Sequence, residues 1–121
     1  MKSCLIVDDS KVIRMVAKKI LQELGFRTEE AEDGQVAFDL CKKDMPDAVL
    51  LDWNMPVMSG IDFLRELRKL PGGDQPIVVF CTTENDIEHI QEAIIAGANE
   101  YIMKPFDSEI LQAKFTQVGL L

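Results

Sequence analysis

Four short apolar runs constrain this chain more than any other feature, because each one stops at a polar residue with obvious chemistry. Cys4 to Val7 ends in Asp8 and Asp9, and Ala48 to Leu51 ends in Asp52. Ile77 to Cys81 ends in Thr82 and Thr83, and Tyr101 to Met103 ends in Lys104. A fifth run, Phe26 to Glu32, alternates weakly and reads as a more exposed strand. Between the runs, apolar residues recur at helical spacing. Val12, Ile13, Val16, Ala17, Ile20, Leu21 and Leu24 mark the first helix, with Gly25 as its stop. A second, around Val36 to Cys41, closes before Pro46. Ser59 and Asp62 have capping-box spacing at the head of a third helix, which Pro71-Gly72-Gly73 ends. A fourth, through Ile87, Ile90, Ala93 and Ile94, stops at Gly97, and a fifth runs through Ile110, Leu111, Phe115 and Val118.

Strands alternating with helices predict an α/β fold with a parallel sheet covered on both faces. Runs without polar alternation fit strands buried on both sides. For five such units the expected arrangement is flavodoxin-like, a five-stranded parallel sheet of order 2-1-3-4-5 with five helices on both faces. The 121 residues suit a single domain over 1–121 with no linker or repeat. Thirteen basic against twenty-one acidic residues give a net charge of −8. That balance argues against nucleic acid or an anionic membrane as the main partner. The first apolar run is too short for a signal peptide or a membrane span, so a cytoplasmic location is expected. Cys4, Cys41 and Cys81 lack metal or redox spacing and read as buried small hydrophobes. His89, the one histidine, reads as a helix surface residue.

In a parallel sheet of this order the polar run ends share one edge, beside the crevice between strands 1 and 3. Three carboxylates, a hydroxyl and an ammonium therefore converge. Clustered carboxylates need a cation or a shared proton. Hard oxygens suit Mg²⁺, and Lys104 and Thr82 add a positive charge and a neutral donor. These are the parts of a phosphoryl-transfer site in which a carboxylate can itself accept the phosphoryl group.

Val7-Asp8-Asp9-Ser10, Leu51-Asp52-Trp53-Asn54-Met55-Pro56 with Ser59-Gly60, Thr82, Ala96-Gly97-Ala98, and Tyr101 with Lys104-Pro105-Phe106 together resemble one family. The chain resembles, over nearly its whole length, a response-regulator receiver domain of bacterial two-component signalling, of the stand-alone, CheY-like kind. The resemblance implies that Asp52 accepts phosphate from a histidine kinase or histidine phosphotransfer protein. It implies Asp9 and Asp52 as direct Mg²⁺ ligands, Asp8 acting through bound water, and the backbone carbonyl of Asn54 as a third protein ligand. It implies that Lys104 contacts Asp52 and then the phosphoryl group, that Lys104-Pro105 is cis, and that Thr82 and Tyr101 form the switch pair. Phosphorylation would draw Thr82 inward, let Tyr101 fill the vacated space and bias the face formed by helix 4, strand 5 and helix 5. With no room in the chain for an output domain, the expected target is another protein, in chemotaxis or another phosphorelay.

Other readings stand beside these. Tyr101 as a core aromatic and Trp53 as packing beside the site are the simplest alternatives. Thr83 occupies a position where the family commonly has a small residue, one that bears on access to the phosphoryl group. Asn54 and Glu84 match positions that tune dephosphorylation. Lys11, Arg14 and Lys18 line one side of helix 1, and Glu84, Glu88 and Glu92 line helix 4. Two solvated faces explain both rows, and docking of a kinase and of a basic partner segment are the functional alternatives. Val36 and Ile95 stand where similar receivers often carry polar residues. An Asp-nucleophile phosphatase would want a DxDxT/V motif after strand 1, and a flavin module a Ser/Thr/Gly-rich phosphate loop. The chain has Asp8-Asp9-Ser10 there. A receiver that binds partners without phosphorylation is the remaining alternative.

Overall fold

The computed structural model describes residues 1–53, 55–83 and 87–121. The elements alternate as β1 (Ser3–Val7), α1 (Lys11–Glu23), β2 (Arg27–Ala31), α2 (Gly34–Lys43), β3 (Ala48–Asp52), α3 (Gly60–Lys69), β4 (Ile77–Thr83), α4 (Ile87–Ala96), β5 (Glu100–Lys104) and α5 (Ser108–Gln117). The five strands pair in parallel in the order β2-β1-β3-β4-β5, the arrangement expected for five such units.

Strand residues alternate between two cores. Leu5, Val7, Val49, Leu51, Val78 and Phe80 face one, under α2, α3 and α4. Cys4, Ile6, Ala48, Leu50, Val79 and Cys81 face the other, under α1 and α5. Period-2 geometry sends neighbouring side chains to opposite faces, so continuous apolar runs serve both layers. β2 is the exception. Both edge strands bury one residue fully, Ala31 in β2 and Ile102 in β5, but β2 carries Arg27 and Glu29 at its exposed positions, which weakens its pattern.

Helix starts follow local chemistry. Ser10, Asp33, Ser59 and Asp107 accept hydrogen bonds from the backbone N–H of Ile13, Val36, Asp62 and Ile110. Gly97, at φ 117°, ends α4 where a side-chain-bearing residue would be strained. One boundary differs from the sequence reading. β4 runs through Thr82 and Thr83, because their pairing with Met103 and Lys104 continues the ladder. α2 ends at Lys43, before Pro46, with Asp44 as its cap. Among the described residues no helix is long and apolar enough to cross a membrane. Cys4, Cys41 and Cys81 are buried, and burial pushes the thiols of Cys4 and Cys41 up to about 12 and that of Cys81 up as well. The thiolate is therefore suppressed, and these cysteines pack as small hydrophobes.

Candidate functional site

The parallel sheet delivers Asp8, Asp52, Thr82 and Lys104 to one edge. Asp8 follows the last residue of β1, Asp52 and Lys104 are the last residues of β3 and β5, and Thr82 is the penultimate residue of β4. The Lys104 ammonium lies between two carboxylates, 2.6 Å from Asp8 Oδ2 and 3.1 Å from Asp52 Oδ1. Asp8 and Asp52 are 3% and 7% exposed, whereas Asp9 is open to solvent. Carboxylate oxygens of Asp8, Asp9 and Asp52 all lie within 4.8 Å of one another.

Asp8 is fixed from several sides. Its backbone N–H donates to Ala31 O at 3.1 Å, and its Oδ1 accepts from the Ser10 N–H at 2.9 Å. Its carbonyl accepts from Arg14 Nη1 at 2.7 Å, while Arg14 Nε donates to Glu30 at 3.1 Å. Arg14 therefore turns in toward the site, and only part of the basic row on α1 is a solvated face. Gly60 opens α3 directly behind the strand end. A Cβ there would run into the Asp52 carbonyl oxygen and come within 2.8 Å of Trp53 Cα. The absence of a side chain lets α3 begin against the end of β3, with Gly60 N–H donating to Trp53 O at 3.1 Å.

The charges in this pocket do not balance. Burial raises the Asp52 carboxyl above the usual range, and the like charges of Asp8 and Asp9 add to that, against the opposing pull of Lys104. Burial works against the Lys104 charge, but its hydrogen bond to Asp8 and the fields of Asp52 and Asp8 outweigh that and raise it. One ammonium faces three clustered carboxylates. Such an arrangement of hard, anionic oxygens suits a divalent cation.

The switch candidates lie on one face. Thr82 is fully buried, and its hydroxyl makes a long contact, 3.4 Å, to its neighbour's carbonyl. Tyr101 pairs in register with Phe80, two residues before Thr82, and packs half-buried against the core under α3 and α4. Lys114 Nζ stands 4.9 Å from its ring centroid and 3.5 Å from Glu100. Thr83 is exposed at the end of β4, and the Lys104–Pro105 bond is cis. Val36 and Ile95 are both solvent-facing, Ile95 at 87%. Asn54 and Glu84 lie outside the described residues.

Sequence reasoning missed one contact. Trp53 and His89 stack, with ring centroids 3.9 Å apart and planes at 27°. His89 is thus half-buried against the residue after Asp52, and is more than a surface residue of α4. No spacing rule could have found the pair, since one ring comes from the loop after β3 and the other from the first turn of α4. On α4, Glu92 reaches Arg65 of α3 at 3.2 Å, so the acidic row is partly neutralised within the chain.

Known proteins resemble this chain in sequence and fold. The family model for the response regulator receiver domain matches residues 4–116. The chain is 43% identical over 115 residues to the chemotaxis protein CheY-3 of Vibrio cholerae, covering 94% of this chain and 88% of that one. It superposes on Vibrio cholerae CheY4 with a TM-score of 0.92 at 35% identity, covering 98% of both chains. A receiver domain of the sensor histidine kinase PA1611 from Pseudomonas aeruginosa, solved with magnesium coordinated in its active-site cleft, matches at TM-score 0.89 and 28% identity over 98% of each chain. The carboxylate-lined strand edge, the sheet order and these likenesses agree: the chain belongs to the response regulator receiver domain family.

Proposed function

We propose that this chain is a Mg²⁺-dependent phosphoacceptor switch. Asp52 takes a phosphoryl group from the phosphohistidine of a kinase or phosphotransfer protein, and the change alters binding of a second protein. The observation that carries this reading is the Lys104 ammonium held 3.1 Å from a buried Asp52 beside two further carboxylates. Asp9 and Asp52 would hold the ion directly, Asp8 through water, and the Asn54 carbonyl would complete the protein ligands. Bound there, Mg²⁺ supplies neutralisation of charge between Asp52 and the incoming phosphoryl oxygens.

An Asp52 carboxylate oxygen attacks phosphorus, an O–P bond forms, and the N–P bond to the donor imidazole breaks, its electron pair passing to nitrogen. Lys104 is placed to shift its contact from the carboxylates to a phosphoryl oxygen. The acyl phosphate adds negative charge and acceptor oxygens next to Thr82. Thr82 leaving its long 3.4 Å contact for such an acceptor frees space along the face it shares with Tyr101. The α4–β5–α5 surface then moves between two populated arrangements. Output passes to a protein in trans, in chemotaxis or another phosphorelay.

Trp53, the single tryptophan, adjoins Asp52 and reports on the site. Its fluorescence should respond saturably to Mg²⁺, and again to acetyl phosphate or beryllofluoride. The second response should vanish in Asp52→Asn, together with phosphate labelling. A chain that neither responds nor labels acts as a constitutive binding module instead.

A further inference from the structure

α4 is weakly seated on the sheet. Of its ten residues only Ala93 is buried, while Ile87, Ile94 and Ile95 face solvent. Its C-terminal end is nevertheless firmly tied. Arg68 of α3 donates to the Gly97 carbonyl from Nε at 3.1 Å and from Nη2 at 2.6 Å. The same guanidinium reaches the carbonyls of Gly73 and Pro76, each at 2.9 Å, and Asn99 Oδ1 at 3.1 Å. Asn99 Oδ1 also accepts from the Val78 N–H at the head of β4, at 2.8 Å. One end of α4 is thus fastened to the starts of β4 and β5, far from the carboxylates. Toward its other end, the stack of His89 on Trp53 joins the first turn of α4 to the residue that follows Asp52.

We infer that the Trp53–His89 stack is a second coupling between the phosphoacceptor site and α4, parallel to the Thr82–Tyr101 route. Arg68 is the fixed point, and the stack moves the opposite end of the helix. His89 acts as a positioning residue through Trp53. This inference rests on the phosphoacceptor reading of Asp52. A displacement of the β3 end by an added phosphoryl group shifts Trp53, and a stacked ring follows its partner because separation forfeits the contact. The coupling is reciprocal, so a change at His89 alters affinity at the site.

Hydrogen exchange over the first turn of α4 tests this, with Mg²⁺ and beryllofluoride as the probe. Thr82→Ala removes the other route. That variant should still show an exchange change on adding the probe. The change should disappear in Thr82→Ala/His89→Ala and return in Thr82→Ala/His89→Phe, which keeps a ring. Beryllofluoride affinity, read from its bound ¹⁹F resonance, should change by about twofold to tenfold in His89→Ala alone. The inference is overturned if Thr82→Ala by itself abolishes the α4 response, or if removing the His89 ring leaves exchange and affinity unchanged. A parent protein that shows no bound beryllofluoride signal brings down the site reading and this inference together. A bound signal without the His89 effects brings down this inference alone.

Discussion

Val57 carries a φ of 66° in the loop between β3 and α3 and is 83% exposed. A β-branched residue in the left-handed region is an outlier, and the conformation costs roughly 1–2 kcal/mol. The Met58 N–H donates to the Pro56 carbonyl at 2.8 Å and closes a γ-turn over Val57, so Val57→Gly, which lacks the Cβ, should stabilise the fold by about 1 kcal/mol. The urea midpoint should rise with an unchanged slope, and an unmoved midpoint would remove the strain argument. Asp52 shows the opposite relation between residue and fold, since its environment disfavours the charge that the proposed chemistry needs. Its carboxyl is raised on folding, first by burial and then by its acidic neighbours, against Lys104. Stability from this group is complete below the ordinary carboxylate range and is lost as pH rises toward the raised value. In metal-free buffer Asp52→Asn should therefore be more stable than the parent at neutral pH. The gap should narrow as pH falls to about 4, near the ordinary carboxylate value. Denaturation curves across that range check the sign, and a gap independent of pH would contradict it.

At the scale of elements, packing overrides propensity at the start of α3. Gly60 is helical, and Ala is the better helix former by about 1 kcal/mol. The Asp52 carbonyl nevertheless occupies the space an added Cβ needs. Gly60→Ala should therefore destabilise the protein by about 2 kcal/mol, as overpacking does, and weaken Mg²⁺ binding by displacing the end of β3. Thermal or urea unfolding gives the first effect and Trp53 fluorescence the second. A stabilised variant would show that α3 can retreat at little cost. α1 offers a related lesson. Its basic residues look alike along the helix, yet only Arg14 reaches both Glu30 and the Asp8 carbonyl. Lys18 makes a looser 3.7 Å contact with Glu30 and is more exposed.

For the molecule as a whole, the proposed cation site should contribute stability once an ion is bound. A cation that binds only the folded chain stabilises it by mass action, by about 2.7 kcal/mol at about 100 times its Kd. Urea titrations with Mg²⁺ and with a chelator should differ by that order in the parent and converge in Asp9→Asn/Asp52→Asn. Equal curves for the parent would argue against cation binding at this edge. The alternation of runs and helical periods sufficed for a parallel sheet covered by helices on both faces, and the sheet order followed as the one expected for five such units. Apolar period and run length are local properties, and parallel crossovers leave few ways to assemble five such units. The same run ends placed Asp8, Asp52, Thr82 and Lys104 at one edge, because a parallel sheet aligns every strand's C-terminal end. β2 and the exact reach of β4 were less legible, since an edge strand has one neighbour to bury it and a ladder ends only where its partner does. What only the tertiary structure decided are contacts between side chains far apart in sequence. Lys104 is shared between Asp8 and Asp52, with the shorter contact to Asp8. Arg14 turns inward, Arg68 fastens one end of α4, and His89 lies on Trp53. Each depends on the rotamers and angstrom-scale spacing of packed elements, and no periodicity along the chain encodes those directly.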